Sequence, residues 1–451
     1  MKAAALTRMT LGLAAIFATG AAWAQAGKGP AQVVKPPISQ AWIDVATFAG
    51  MGMPSMGGGG GGPMSMMGSM FGGGQGGKNT FGMTQTGSAG RWVDVTLYTS
   101  RNPALPEALQ AVPAGTQLAP TLKLVAPKIE KGTPPPPGDD TVVEHEYERP
   151  KGKMYLYWGC GDTVRAGQPR VLDMATARPE DFGKFFISRR ATQRGAHSAA
   201  GRPLWPNEVD SRMVPANASL VGEHAFTGQG VPEGFKFGIG PQQDLMPVIE
   251  LRQSDAGGAT QLEWAGLPTA RAYFIAAMGA KGGSEMEMVF WTSSEVPEVG
   301  MGLIDYQTNP AVDRWLKEKV LLEPSVTKCA VPKGIFGEGG GAMLRMIAYG
   351  SELNLAHPPR PTDPKIAWEP QWAVKLRVKS VANAMLGMDM GSMQRGAGRQ
   401  ARPQQGQPQQ GQPQQGQPQA QPQDAAPPPA EQKPEEKLPD PVNILKGIFG
   451  R

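Results

Sequence analysis

The chain has 451 residues, including 60 glycines and 44 prolines, and a formal net charge of +5. Lys2 and Arg8 fall in the first 26 residues, which hold no acid, so the remainder carries only +3. No dense Lys/Arg block is present, which argues against a nucleic-acid reader, where basic residues concentrate on one element.

In chain order, the first feature is a targeting segment. Lys2 and Arg8 precede the apolar stretch Leu11 to Ala22, followed by Ala22-Trp23-Ala24-Gln25-Ala26. A basic start, a short apolar run and small residues before a cleavage point predict a secretory signal peptide over residues 1–26. The run is too short to span a bilayer comfortably, and no later stretch reaches that length. The mature chain is therefore expected to be periplasmic or secreted, with no transmembrane segment after cleavage.

A near-repeat follows. Trp42-Ile-Asp-Val-Ala-Thr-Phe48 recurs as Trp92-Val-Asp-Val-Thr-Leu-Tyr98. Ile43, Val45 and Thr47 alternate with Trp42, Asp44, Ala46 and Phe48, so each copy predicts a β-strand with one buried face. Residues 49–90 form a Gly/Met-rich loop between these strands. Its Met51, Met53, Met56, Met64, Met66, Met67 and Met70 are candidate metal ligands, with Met83 close behind. Thioether sulfur is soft and selects Cu(I), or Ag(I) by the same logic. Thioethers need not lose a proton, so such binding persists in acid. The competing reading is a low-complexity insertion or an adaptable apolar contact surface.

Further on, the prolines of Ile129–Asp140 predict a stiff surface loop, and Glu144, Glu146 and Glu148 alternate on an acidic strand edge. Short alternating segments then recur between turn signals: Lys153–Trp158, Lys184–Ser188, Pro247–Arg252, Gln261–Trp264, Ala272–Ala276, Glu287–Thr292 and Trp372–Val378. Many short strands between Gly/Pro turns predict a mostly β chain with two β-sandwich-like domains. A boundary is expected near residues 240–245, giving an N-terminal β domain over 27–243 and a second over 244–393. One helix is expected in the second domain, capped by Asn309, with Pro310 in its first turn and Val312, Trp315 and Leu316 on one face. Cys160 and Cys329 are the only cysteines. In an exported chain an even count favours a disulfide, the alternative being two separate buried thiols. Residues 394–441 repeat Gln-Gln-Gly-Gln-Pro and read as a disordered linker. The apolar segment 442–451 beyond it, whose Lys446–Gly450 echoes Lys333–Gly337, reads either as a docking end or as a frayed terminus.

Two resemblances are visible. Pro247-Val-Ile-Glu-Leu, Gln261-Leu-Glu-Trp264 and Leu267-Pro-Thr-Ala-Arg-Ala-Tyr273 resemble the first three strands of a fibronectin type III-like domain over residues 246–292. That likeness implies that Trp264 and Tyr273 pack together in its core. The helix near Asn309 departs from the family's seven-strand plan. Tyr157-Trp-Gly-Cys-Gly161, Phe290-Trp-Thr-Ser-Ser-Glu295 and His357-Pro-Pro-Arg-Pro361 resemble uncharacterised exported proteins of Gram-negative bacteria, a likeness that brings no activity with it.

Catalytic motifs are absent from the sequence. There is no G-x-S-x-G, HExxH or P-loop pattern, and His145, His197, His224 and His357 are scattered. His224 beside Glu223 is the best base candidate, although a strand histidine with a local hydrogen bond is the more ordinary reading. No catalytic or cofactor-binding residue is assigned. The expected function is that of a non-enzymatic cell-envelope protein, binding or structural, meeting a protein partner through its loop and tail. Soft-metal binding at the methionines is one alternative, and an undetected envelope hydrolase using His224 or Glu144–Glu148 is another.

Overall fold

The computed structural model describes residues 32–50, 79–86, 88–128, 152–187, 189, 195–281, 284–336 and 342–386. Residues 1–26, Met51 to Met70, Ile129–Asp140, Glu144–Glu148 and 394–451 lie outside them. In the first half the elements are β1 (Ser39–Gly50), the helical turn α1 (Met83–Thr86), β2 (Gly90–Thr99), β3 (Glu107–Ala111) and β4 (Thr121–Val125). Next come β5 (Lys153–Trp158), β6 (Arg170–Asp173), α2 (Pro179–Phe185), β7 (Leu204–Trp205), β8 (Gly222–Thr227) and β9 (Lys236–Ile239). The second half has β10 (Arg252–Ala256), β11 (Ala259–Glu263), β12 (Ala272–Lys281), β13 (Ser284–Thr292) and α3 (Asn309–Lys317). It ends with β14 (Lys328–Val331), β15 (Met343–Tyr349), β16 (Leu353–His357) and β17 (Trp372–Met385).

The protein is mostly β, and most strands join one large mixed sheet. Its order is β6-β5-β13-β12-β15-β17-β1-β2-β7-β4-β3-β8-β9, with β16 also on β17, while β10-β11-β14 form a small second sheet. Strands from either side of residues 240–245 share the large sheet: β1 runs parallel to β17 and β5 parallel to β13. The two repeat copies are neighbours, antiparallel, with Trp42 opposite Thr96 and Asp44 opposite Asp94.

Both faces of β1 and β2 are covered, so the expectation of one buried face per repeat strand is corrected. Ile43, Val45, Val93, Val95 and Leu97 belong to the larger core, with Trp205, Phe226, Trp264, Tyr273 and Trp291. Ala46, Phe48 and Trp92 face the other way, under Leu303, Val312 and Trp315 of the segment carrying α3. That segment covers a face which alternation alone assigns to solvent.

Two expected strands are also corrected. Phe185 ends a helix: Pro179 stands in its first turn, where a missing N–H costs nothing, and Asp181 accepts the Arg178 N–H at 3.1 Å. Pro247 to Leu251 is not strand, and β10 starts at Arg252. There Thr47 and Ser380 hydroxyls take the carbonyls of Met246 and Pro247 at 2.7 and 2.8 Å, replacing ladder bonds. The expected helix forms, but Thr308 caps it by accepting the Ala311 N–H. Asn309 instead exchanges hydrogen bonds with the backbone of Glu352, at 3.0 and 2.9 Å.

Cys160 and Cys329 form a disulfide, with Cα atoms 5.1 Å apart. Cys160 follows β5 and Cys329 lies in β14, so the bond ties the small sheet to the large one. Gly161 N–H to Ala330 O, at 3.0 Å, and Gln261 Nε2 to Asp162, at 2.6 Å, reinforce the junction.

Candidate functional site

The richest group of titratable side chains sits on the face of the sheet covered by α3. β17 reads Lys375-Leu-Arg-Val-Lys379, so Lys375, Arg377 and Lys379 share one face. Each meets a carboxylate. Lys375 Nζ is 2.7 Å from Glu352 and Lys379 Nζ 2.8 Å from Asp305. Arg377 grips Asp44 with two bonds, Nε to Oδ1 at 2.7 Å and Nη2 to Oδ2 at 2.5 Å.

Tyr306 seals this row. Arg377 and Lys379 lie 4.3 and 4.0 Å from its ring centroid, a double cation–π contact, and its hydroxyl donates to Val45 O at 3.0 Å. Burial holds the Tyr306 phenol well above its ordinary range. Burial also lowers the Lys379 ammonium, with Asp305 partly offsetting it. For Asp305 burial pushes upward, but Lys379, the Tyr306 amide and Arg377 together outweigh it and the carboxyl falls below its usual value. Gly195 lies against the Arg377 guanidinium, so closely that a Cβ there would fall 1.9 Å from Nη2. The next residue, Ala196, donates its N–H to Asp44 at 3.1 Å.

Asp94 is the exception in this group, because its contacts are donors and no cation among the described residues pairs with it directly. It accepts from Gly82 N at 3.0 Å, Thr84 N at 3.3 Å and the Thr84 hydroxyl at 2.5 Å. Gly82 has φ of +97°, a backbone conformation that glycine adopts without steric cost. Asp94 is 2% exposed, and burial raises its pKa to about 6, against the lowering effect of those donors and with a smaller push from Asp44. It therefore changes charge near neutral pH, and with Asn79, which bonds Ser211 O and Arg212 O, it ties down the chain returning from the Gly/Met stretch.

The structure disperses the other sequence candidates. His224 is buried, with Nε2 2.7 Å from Leu220 O and Nδ1 3.3 Å from Gln110 Nε2, and it stacks on Phe237. The carbonyl takes the Nε2–H and the amide donates to Nδ1, a neutral imidazole; burial lowers its pKa accordingly. Glu223 does not orient it but pairs with Lys236 at 3.6 Å. The adjoining cavity, lined by Ile43, Val93, Trp205 and His224, measures about 20 Å³, room for one water. His197 bonds Gly195 O at 2.8 Å, and His357 stacks on Trp372. A surface cleft of about 680 Å³ lies along β6 and α2. Its Asp173 and Asp181 are occupied with Ala175 N and Arg178 N.

Met51, Met53, Met56, Met64, Met66, Met67 and Met70 lie outside the described residues, and Met83 packs beside the second core cluster. Among the described residues no group of three His, Cys, Asp or Glu side chains suits a metal ion, and no helix is long and apolar enough to cross a membrane. The buried charge row was missed from sequence, although alternating cations on β17 and an aspartate at the same place in both repeat copies were its signal. No family model matches the chain, and no curated protein matches it either.

Proposed function

We propose that the chain is an exported, non-enzymatic protein of the cell envelope, whose β scaffold presents its appended segments to a protein partner. The observation that carries this reading is how the densest cluster of titratable groups is used. Asp44 and Arg377 pair between β1 and β17, Lys379 pairs with the half-buried Asp305, and Tyr306 covers both cations, so these groups are committed to holding the strands and the α3 segment together. Such burial costs desolvation and is matched to packing rather than to turnover. The Cys160–Cys329 bond supports export, because structural disulfides persist in oxidising compartments. The predicted signal peptide at residues 1–26 and the likeness to exported Gram-negative proteins belong to the same reading. The fibronectin type III-like reading of residues 246–292 is supported by Trp264 and Tyr273, whose rings meet edge to face at 5.6 Å.

The test is a pull-down from the native periplasmic extract with the full chain and with a variant lacking residues 394–451. A partner captured by the first and lost from the second is expected. Identical partner lists would remove the docking role of the tail.

A further inference from the structure

We propose that Met278, Met343 and Met385 form a thioether site for a soft monovalent cation, Cu(I) or Ag(I), on the rim of the large sheet. These three are far apart in sequence and belong to no common motif. The fold lines them up. On β12 and β15 Met278 is directly opposite Met343, and on β15 and β17 Met343 is directly opposite Met385. No register shift interrupts either pairing, so all three side chains project from the same face.

Directly opposed Cβ atoms on neighbouring strands lie about 4.5–5.5 Å apart, and the unbranched thioether has three rotatable bonds. Three sulfurs in a row can therefore close on one ion. All three residues are partly exposed, which gives an ion access. Next along β17 on this face is Asn383, 6% exposed, whose Oδ1 has no hydrogen-bond partner among the described residues. An uncommitted carbonyl oxygen thus adjoins the thioethers.

Charge selects the ion. Arg345 stands two positions from Met343 on the same face of β15. Thioethers contribute no negative charge, so a hard divalent ion gains little here and meets a guanidinium. A monovalent soft ion bound through polarisable sulfur is the better match. The site also lies where both methionine-rich stretches of sequence join the fold. Gly50, which precedes Met51, pairs with Asn383, and Met385 opens a second sequence group with Met388, Met390 and Met393. Of these two stretches the proposal uses only Met385, and it is independent of the partner-binding reading above.

The experiment titrates purified full-length protein with Cu(I) against a competing chelator, and with Ag(I) by calorimetry. Its variants are Met278→Leu/Met343→Leu/Met385→Leu, Met343→Leu alone, and a deletion of residues 51–70. Leucine keeps the volume nearly constant, so the melting temperature should barely move. We expect one equivalent bound by the wild type, affinity weakened by roughly tenfold or more in the triple variant, and an intermediate loss for Met343→Leu. The deletion should retain the site. Affinity should be the same near about pH 7.5 and about pH 5, because thioethers release no proton. Wild-type affinity in the triple variant, loss of the site in the deletion, absence of binding by the wild type, or a steep loss in acid would each overturn the proposal.

Discussion

Replacing Asp94 with asparagine should abolish a specific pH dependence of stability. In the folded chain the Asp94 carboxyl is raised from 3.8 to about 6, chiefly by burial. The groups around it are Asp44 on β1, Thr84 and the Gly82 amide at α1, and, beyond Asp44, Arg377 and Tyr306. Above about pH 6 both folded and unfolded states hold the carboxylate, and its burial costs stability. As the pH falls through that value, the folded state takes up a proton that the unfolded chain does not bind until near pH 3.8. Stability contributed by Asp94 therefore rises on acidification. A shift of roughly two units is worth about 3 kcal/mol in full, of which about 2 kcal/mol is present by about pH 4.5. Urea unfolding of wild type and Asp94→Asn from about pH 7.5 to about pH 4.5 reads this directly. The difference between the two proteins, in which other titrating groups cancel, should move by about 2 kcal/mol in favour of the wild type. Thr84→Val should push the midpoint of that change upward, because the hydroxyl favours the ionised form. A flat difference across the range would refute the reasoning.

Two further outcomes follow from the same structure. Arg377→Met should cost about 3–5 kcal/mol in urea unfolding, because it strands the Asp44 carboxylate beside Asp94. The double variant with Asp44→Asn should recover most of that loss, and a single-variant cost below about 1 kcal/mol would contradict a sealed ion pair. Reducing the Cys160–Cys329 bond, which joins residues 169 positions apart, should lower the melting temperature. The chain-entropy ceiling is roughly 5 kcal/mol. An unchanged transition in reductant would show that the bond does not staple the two sheets.

The local pattern of the sequence carried far. Lys153–Trp158 is β5 as read, and strands begin as expected at Ala272 and Trp372. A short apolar run such as Phe185-Phe186-Ile187 cannot by itself distinguish strand from helix end, and Pro179 with its following acids decided the matter. The site was harder to read. Alternation places Asp44, Asp94, Arg377 and Lys379 on the face opposite the apolar residues, which ordinarily means solvent. Only the segment carrying Leu303, Tyr306 and α3 makes that face an interior. Its contacts there join residues far apart in sequence, such as the Tyr306 hydroxyl with Val45 O across 261 positions. The methionine row has the same character: Met278 and Met343 acquire a relation only through register.

The near-repeat has different consequences in its two copies. Antiparallel pairing of similar strands sets Asp44 against Asp94, and like charges directly opposite each other are destabilising. The conflict is resolved by giving each aspartate a different neighbour. Arg377 neutralises Asp44 and fastens β1 to β17, while Asp94 receives amides and a hydroxyl from Gly82 and Thr84 and is protonated below about pH 6. One carboxylate therefore holds the strands together, and the other holds the far end of the Gly/Met stretch. A force or ligand that draws residues 82–84 off the sheet must strip Asp94 of three donors. Through this residue the Gly/Met stretch is linked to the charge row beneath Tyr306.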